Sequence, residues 1–488
     1  MSGKNHPKID ASKNDDDEKN NISIPNVTVK DVQEAMKNLS LTSSPGLDQI
    51  SGNHLKYAHK TLLLLLSLLF TVLFTHSYVP ITLTNIKICN LIKDLQKSSS
   101  ISGNYRPIAL ASLLSKLFEC IILQRSGHLL TTTDNQFAYK QNHSTDMALF
   151  LLKTTIESCK STNSPIFLCT MDLSKAFDRV CHKKLFEILS KRKVPPYIIA
   201  TLKHWYLSQE FRVMWGNELS SPFKTGCGIR QGSVLSAVLF AVYMNDLSSE
   251  IFSDDVGCVV GGQKINHILY ADDIILLSTS AKSLQYLVNK CVTYLDNHLL
   301  TINTQKTKVM SILPKQMIKY NEPEIVIKGN HLEVVDSFKY LGMQINNRMK
   351  DDEHITTLYR GQCLRGNLLV RNFHMCDQDA KVHLFKSFCT SLYGIPLSFN
   401  CKKETLNKLK VCYNNSFRFL MRIGRMCSVS EKFVILGIPT FKELVRKCTA
   451  SLYMRLKSSN NSLVLAVFNS WFFKNSSTFN LWTEMIHC

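Results

Sequence analysis

Two adjacent aspartates interrupt the most strand-like run of this chain, the segment ILYADDIILLS at residues 268–278. Short runs of Ile, Leu and Tyr are typical of a buried strand, and an unpaired ionised carboxylate in such surroundings costs several kcal/mol. Because Asp favours turns, one interpretation is a β-hairpin that bends at Asp272 and Asp273. Successive strand residues point to opposite faces, so both carboxylates can serve one site only at such a bend. The fold must therefore compensate this charge.

The chain carries a large positive charge, with 58 Lys and Arg against 38 Asp and Glu in 488 residues, a net +20. Residues 401–460 contain 13 Lys and Arg but only 3 Glu, so this segment supplies +10, half of the total. Such one-sided charge favours a polyanionic partner, either a nucleic acid or an anionic membrane surface. The sequence thus predicts a phosphate-facing surface near the C-terminus.

Cysteine spacing and apolar segments argue against several classes of protein. The 16 cysteines are scattered without a CxxC pair, so no zinc site is expected. The polar N-terminus lacks a secretory signal, which predicts reduced thiols in an intracellular protein. Residues 62–74, LLLLLSLLFTVLF, are too few for the ~20 residues of a membrane-spanning helix. We therefore predict a buried core helix there and no membrane contact.

Local patterns divide the chain into four regions: a polar tail at residues 1–21, an N-terminal region at 22–165, a mixed region at 166–346 and a basic helical region at 347–488. Helical patterns dominate up to about residue 130, beginning with a helix capped by Thr28. The mixed region should contain a hairpin with Gly216 and Asn217 near its tip and a helix over residues 282–299. Strands in the middle with helices on both sides predict an α+β fold.

A third carboxylate, Asp172, ends another short apolar strand, IFLCTMD, and precedes Asp272 by 100 residues. Mg²⁺ takes hard oxygen ligands, usually only one or two of them protein carboxylates. Two such ions ~3.5–4 Å apart can clamp the attacking and leaving oxygens of an in-line displacement. Asp172 beside the Asp pair would suit phosphoryl or nucleotidyl transfer, although three aspartates at these separations are weak evidence alone.

Eight segments, taken in order, resemble the motif series of reverse transcriptases from non-LTR, LINE-type retrotransposons. They are SSPGLDQI (43–50), SGNYRPIALASLLSKLFECIILQR (102–125), NQFAYKQNHSTDMAL (135–149), CTMDLSKAFDRVCHKKL (169–185), GIRQGSVLSAVLFAVYMNDL (228–247), ILYADDIILLS (268–278), LTINTQKTKVM (300–310) and FKYLGMQI (338–345). A lone YADD is weakly specific, but eight motifs in the family's order are strongly specific.

The resemblance implies a right-hand polymerase with fingers in the N-terminal region, an antiparallel palm sheet in the mixed region and a helical thumb-like C-terminal region. The reverse transcriptase domain itself would span about residues 88–346. The implied reaction is two-metal nucleotidyl transfer of dNTPs onto a primer 3′-hydroxyl, directed by RNA. Two Mg²⁺ ions, or Mn²⁺ in their place, would be the cofactors. An RNA template, a DNA primer, their RNA/DNA hybrid and dNTPs would be the partners.

The same resemblance implies roles for residues around the reacting groups. Asp172 and Asp272 match the metal-binding aspartates of the palm, and Asp273 would support them. Tyr270 would lie beside the primer terminus. Lys306 matches a lysine that would protonate the leaving pyrophosphate as a general acid.

Four further residues would contact the incoming nucleotide. Phe177 matches the aromatic position that blocks a ribose 2′-hydroxyl and so selects dNTPs. Gln231 and Gly232 match the pair that packs against nucleotide and template. Arg106 resembles a fingers arginine that can clamp the triphosphate as a bidentate donor.

Two features depart from the family pattern and keep other readings open. Val234 and Ala237, in QGSVLSA, replace two prolines that would stiffen this loop and helix start. The 42 residues before SSPG are too few for the upstream endonuclease domain of such elements, so a separate endonuclease acting in trans is one expectation. A catalytically weak or inactive nucleic-acid-binding remnant is the alternative, which the three intact aspartates disfavour. An RNA-dependent RNA polymerase is disfavoured by YADD and Phe177.

Overall fold

The computed structural model describes residues 24–40, 42, 44–94, 96–314, 323–424 and 427–487. The predicted polar tail at residues 1–21 lies outside this part of the chain. The helices are α1 (Val29–Lys37), α2 (Gly52–Lys56), α3 (Thr61–Thr75), α4 (Ile81–Thr84), α5 (Leu113–Ser126), α6 (Thr145–Ser161), α7 (His182–Lys191), α8 (Pro196–Ser208), α9 (Val234–Phe252), α10 (Ala281–Asn297), α11 (Asp352–Phe373), α12 (Gln378–Cys389), α13 (Lys403–Leu420), α14 (Ser430–Ile435), α15 (Phe441–Lys457), α16 (Ser462–Asn469), α17 (Trp471–Lys474) and α18 (Ser477–His487).

The strands are β1 (Asn85–Ile92), β2 (Tyr105–Leu110), β3 (Ile166–Met171), β4 (Glu210–Trp215), β5 (Glu218–Leu219), β6 (Cys258–Val260), β7 (Gln263–Ile265), β8 (His267–Tyr270), β9 (Asp273–Ser278), β10 (Lys308–Ile312), β11 (Val326–Ile327), β12 (Asn330–His331), β13 (Glu333–Val334), β14 (Ser337–Tyr340) and β15 (Met343–Asn346). Strands concentrate in the middle of the chain and helices flank them, so the α+β prediction is confirmed. The described cysteines are all free thiols.

The central sheet runs in the order β13-β10-β3-β9-β8 and is antiparallel except between β10 and β13. Alternate residues of β3 face opposite sides. Phe167 and Cys169 join the core formed with α9 and α10, whereas Ile166 and Leu168 join the core formed with α6. Because both faces are covered, the strand sequences are continuously apolar rather than alternating.

A second sheet, in the order β2-β1-β4-β5, lies among the N-terminal helices. β1 pairs antiparallel with β2 and parallel with β4, and Asn85 stands opposite Glu210. The β4–β5 hairpin turns at Gly216, which has φ 60°, as predicted. Helices prevail up to about residue 130, as predicted, but the strands β1 and β2 between them were not predicted. These strands depend on pairing with distant β4, which a local pattern does not encode.

The first helices follow their sequence signals closely. Thr28 caps α1, since its Oγ1 accepts from the Asp31 N–H at 3.2 Å and the Asp31 carboxylate accepts from the Thr28 N–H at 2.9 Å. This reciprocal capping box confirms the predicted helix start. The predicted helix after the Asp pair is also confirmed as α10.

Helix α3 corresponds to the predicted core helix, but it is buried on only one face. Phe70 and Phe74 are fully buried, whereas Leu65 and Leu68 are more than half exposed. The prediction that this segment is a buried core helix was therefore half wrong. The reason is that α3 packs on α1 and α8 from one side only, so no second layer covers its outer leucines.

Helix α9 is, within the described residues, the one helix long and apolar enough to cross a membrane. It packs against α5, α7, α10 and β8, and Phe240 and Tyr243 on it are fully buried. The apolar composition of α9 is thus accounted for by its place in the core beneath the central sheet.

The C-terminal helices divide between two cores. Helices α11 to α14, with the first turns of α15, pack around Phe385, Tyr413 and Phe417. Helices α15, α16 and α18 return to the α6 side of the central sheet, where Trp482 is fully buried. An ion pair of 3.0 Å between Arg455 and Asp146 fastens α15 to α6. The last helices are therefore part of the body that holds the central sheet.

Candidate active site

The aspartate pair stands at a tight bend between β8 and β9. Tyr270 and Asp273 are the last paired residues, and Ala271 and Asp272 form the turn. Ala271 has φ 57°, a left-handed conformation that is uncommon for a residue other than glycine. The fully buried Gln136 side chain accepts a 3.1 Å hydrogen bond from the Ala271 N–H. The predicted hairpin bend is confirmed, and Gln136 helps to hold it.

The third aspartate lies next to this bend because of the sheet register. Met171 on β3 pairs with Ile274 on β9, so the following residue, Asp172, comes beside the turn. Asp172 and Asp272 both line a cavity of about 1400 Å³. Asp273 is not part of the lining of that cavity, but it lies close enough for the charges of Asp272 and Asp172 to act on its carboxylate.

Like charges accumulate at this edge of the sheet. Partial burial raises the pKa of Asp272, and the nearby Asp172 raises it further, while Arg106 acts in the opposite direction. Burial together with Asp272 and Asp172 raises the pKa of Asp273 to about 6, although this side chain keeps contact with solvent. The three carboxylates therefore repel one another and lack a full set of protein cations.

The carboxylate cluster has the donor atoms of a divalent-metal site. Among the described residues, no three His, Cys, Asp or Glu side chains are grouped closely enough to hold an ion as they stand. Asp172 and Asp272 nevertheless supply hard oxygen donors from two adjacent strands to one cavity, the donor type that Mg²⁺ prefers. A bound divalent cation would also relieve the repulsion between them. The residues thus fit such an ion.

Lys306 reaches the same carboxylates from the turn before β10. Its Nζ lies 3.5 Å from Asp172 Oδ2. The turn is held in place because the Asn303 N–H donates to the Asp172 carbonyl at 2.8 Å and the Lys306 N–H donates to the Asn303 carbonyl at 3.2 Å. Lys306 therefore presents an ammonium group to the cavity on a side chain that is 68% exposed.

The floor of the cavity is an aromatic stack. Phe177, in a short 3-10 turn (Phe177–Arg179), stacks on Phe240 of α9 with ring centroids 4.5 Å apart and planes 13° apart. Tyr139 packs edge-on against Phe177, with 6.5 Å between the ring centroids. Burial and the charge of Asp272 raise the pKa of Tyr139. A rigid ring is thus fixed a short way from the carboxylates.

Gln231 and Gly232 form a wall of the cavity beside this stack. The Gln231 carbonyl accepts a 2.8 Å hydrogen bond from the Ala109 N–H of β2. Gly232 has φ 112°, and a Cβ there would lie 3.0 Å from the Ala109 carbonyl oxygen. The Gln231 amide reaches Asp178 Oδ1 at 3.5 Å. A close approach of two backbones therefore requires glycine at position 232.

Arg106 lines the far side of the cavity on β2, and other residues there were missed by sequence reasoning. They include Lys93, Trp215 and Asp178, which line the cavity with Arg106. Trp215 is 59% exposed and meets Tyr105 edge-on at 5.2 Å. The Trp in the predicted hairpin is the sequence signal that could have found Trp215.

Tyr270 and Tyr340 lie on the other side of the bend. Tyr270 is half-buried and does not line the cavity, unlike the other predicted site residues apart from Asp273. Tyr340 on the β14–β15 hairpin is 4% exposed. Burial raises the pKa of Tyr340, and the charge of Asp273 and the nearby Tyr270 raise it further. Tyr270 therefore lies between the carboxylates and the hairpin that follows the sheet.

Comparison with known proteins gives one family. Residues 95–345 match the family described as "Reverse transcriptase (RNA-dependent DNA polymerase)". The chain is 26% identical over 457 residues to the "Probable RNA-directed DNA polymerase from transposon BS" of Drosophila melanogaster, covering 91% of this chain and 50% of that protein. It is 25% identical over 467 residues to the "RNA-directed DNA polymerase from mobile element jockey" of the same organism, covering 91% and 49%. The chain spans about half the length of these curated relatives.

Two further proteins show more limited similarity to this chain. The "Retrovirus-related Pol polyprotein from type-1 retrotransposable element R2" of Nasonia vitripennis is 25% identical over 252 residues, covering 50% of this chain and 24% of that protein. Among solved structures, telomerase from Candida Tropicalis in complex with a fragment of telomeric RNA has a TM-score of 0.42 at 13% identity, covering 88% of this chain and 67% of that one.

Proposed function

Because this chain belongs to the reverse transcriptase (RNA-dependent DNA polymerase) family, we propose that it extends the 3′-hydroxyl of a DNA primer with dNTPs along an RNA template. One observation carries the proposal. Asp172 and Asp272, brought together by the β3–β9 register, line a cavity with the residues expected to recognise a nucleotide, Arg106, Phe177, Gln231, Gly232 and Lys306.

The position of each residue suits a specific role in this reaction. Arg106 would bind the triphosphate, and the Phe177 ring would leave no room for a ribose 2′-hydroxyl. The Gln231–Gly232 backbone would pack against the base pair being formed. Lys306 would deliver a proton to the pyrophosphate as it leaves. Tyr270 would support the primer terminus from outside the cavity.

Asp172 and Asp272, with Asp273 in support, would hold two Mg²⁺ ions or Mn²⁺ in their place. These cations would lower the pKa of the primer hydroxyl and neutralise charge on the triphosphate. The raised pKa of Asp272 and Asp273 supports this role, because an uncompensated carboxylate cluster favours a divalent ligand. Zinc is not part of the proposal.

The remaining positive charge would serve the nucleic acid. Helix α13 exposes Lys403, Lys408 and Lys410, as expected of a thumb-like region that follows the backbone of an RNA/DNA hybrid. This chain spans about half the length of its curated relatives, and we propose that a separate endonuclease acting in trans nicks the target DNA.

A primer-extension assay tests the proposal. The protein is given an oligo(dT) primer on poly(rA), with dTTP and Mg²⁺ or Mn²⁺, and Asp272→Asn serves as the matched control. We expect incorporation by the wild type and none by the variant, with equal duplex binding by both. Equal, background-level incorporation by the two proteins, with the duplex still bound, would favour a noncatalytic nucleic-acid-binding protein. Incorporation of rNTPs in preference to dNTPs would favour an RNA polymerase.

A further inference from the structure

Glu119 is a fully buried carboxylate that the proposed chemistry does not use. It lies on α5, is 0% exposed, and forms an ion pair with Arg230, itself 4% exposed. Arg230 in turn lies over the Trp205 ring, with 4.9 Å between the guanidinium carbon and the ring centroid. Burying such a pair is rarely favourable for stability alone, so its place in the fold needs another explanation.

The carboxylate binds four groups within the segment from Arg230 to Leu235. Besides Arg230, its Oε1 accepts from Ser233 Oγ at 2.8 Å, and its Oε2 accepts from the N–H groups of Val234 at 2.9 Å and Leu235 at 3.3 Å. Val234 and Leu235 are the first two residues of α9, so Glu119 satisfies helix N–H groups that have no partner within the helix. Glu119 thus binds the first two N–H groups of α9 and the hydroxyl of its N-cap residue Ser233, which itself accepts from the Ser236 N–H.

This segment encloses the two residues that form the cavity wall. Gln231 and Gly232 lie between Arg230 and Ser233, and their backbone has one further tie, the hydrogen bond to Ala109. Arg230 and Ser233, which flank these two residues, are therefore both bound to a single carboxylate on α5. A shift of Glu119 would move the wall against which a nucleotide packs.

We propose that Glu119 is a positioning residue for the incoming nucleotide, acting by tethering the Arg230–Leu235 segment. The inference rests on the proposed polymerase function for its catalytic consequence, but the tether itself is a property of the fold. It also explains the departure at position 234. A proline there would have no N–H, whereas Val234 donates to Glu119. The stiffness that a proline would provide is supplied here by a hydrogen bond to a buried carboxylate.

Glu119→Gln tests the tether with little change of shape. A carboxamide keeps one acceptor oxygen and places an NH₂ group against donors, so about half of the contacts are lost and Arg230 loses its counter-charge. We expect KM for the dNTP to rise by about tenfold. The change in kcat should be smaller, and duplex binding should be unchanged. Glu250→Gln, on an exposed position at the other end of α9, is the control and should leave KM unaltered.

A double substitution separates positioning from stability. Glu119→Met with Arg230→Met removes both buried charges, which is expected to restore much of the unfolding midpoint that either single change lowers. The N–H groups of Val234 and Leu235 still lose their acceptor, so KM should remain raised. Recovery of both the midpoint and KM would show a merely structural ion pair and overturn the proposal.

Amide hydrogen exchange tests whether Glu119 holds the Arg230–Leu235 segment in place, even if the wild type incorporates no nucleotide. In Glu119→Gln, peptides covering residues 228–240 should exchange at least about tenfold faster than in the wild type. Peptides from α10 and the Glu250→Gln protein should be unaffected. Unchanged exchange over residues 228–240 would refute the tether, whereas absent incorporation with faster exchange would refute only the proposed function.

Discussion

The Nζ of Lys306 lies 3.5 Å from a carboxylate oxygen of Asp172. Asp172 directly follows β3, whereas Lys306 lies in the turn before β10. This contact places the one exposed cation of the NTQKTK turn at the cavity edge where pyrophosphate would leave. Exposed ion pairs contribute little to stability, so the contact is better explained by chemistry than by folding.

Lys306→Ala should therefore reduce catalysis without reducing stability. We expect kcat for single-nucleotide incorporation to fall by about 100-fold, the lower end for loss of a general acid. The unfolding midpoint and duplex affinity should stay within error. Lys328→Ala removes a lysine with a similar exposed ion pair, to Asp296, and should change neither quantity. An unaltered kcat in Lys306→Ala would remove this residue from the mechanism.

The stack of Phe177 on Phe240 predicts how the sugar is selected. Phe177→Val opens space beside the position of the ribose, so the preference for dNTPs over rNTPs, measured as a ratio of kcat/KM, should fall by about 10–100-fold. Phe177→Tyr keeps the ring and should retain the preference. If both variants discriminate as the wild type does, another residue excludes the 2′-hydroxyl.

Local sequence patterns predicted those parts of the site that depend on neighbours in the chain. The apolar runs that end in Asp172 and surround Asp272 predicted two strands and a bend, and the period-two side-chain direction required the bend. The order of the motifs then indicated that these ends meet. Hydrophobic runs and turn preferences are local properties, which is why they sufficed here.

What was missed depends on contacts between distant segments. The pairing of β1 with β4 and the return of α15 to α6 are set by tertiary packing, which overrides local propensity. Glu119 resembles any helical glutamate in the sequence, and only the fold shows that it is buried against Arg230 and the start of α9. The exposed face of α3 was missed because an apolar run records composition and not which neighbours are present.

The crowding of carboxylates predicts a pH-dependent cost to stability. Asp273 has a pKa of about 6 in the folded protein against 3.8 for an ordinary aspartate, so the folded state binds the proton more tightly. The free energy of unfolding should therefore fall as the pH rises from about 4 to about 6. Without divalent cations, Asp273→Asn should be more stable than the wild type at pH 7.5 and indistinguishable from it at pH 4.

The size of this effect is limited by the solvent contact of Asp273. We expect the unfolding midpoint of Asp273→Asn at pH 7.5 to rise by about 1–3 °C, measured by differential scanning calorimetry in EDTA. Asp255→Asn, at a fully exposed position outside the cavity, controls for the lost charge. A stabilisation of Asp273→Asn that is the same at pH 4 and pH 7.5 would show that proton binding is not its cause.

The exposed lysines of α13 predict the salt dependence of nucleic-acid binding. Truncation is a poor test, because removing α15, α16 and α18 would expose the core on the α6 side of the central sheet. Substitution of three exposed lysines, Lys403, Lys408 and Lys410, by Ala leaves that core intact. If all three contact phosphates, the slope of log K against log salt for an RNA/DNA hybrid should become shallower by about 2–3.

This measurement needs a control with the same loss of charge. Lys282, Lys290 and Lys328, on or beside α10, can be replaced by Ala together, and this protein should keep the wild-type slope despite its equal net charge. Fluorescence anisotropy between 50 and 300 mM KCl, about a sixfold range, suffices to resolve such a difference in slope. If the two triple variants lose the same slope, net charge alone draws the hybrid to the protein, and α13 is not its binding surface.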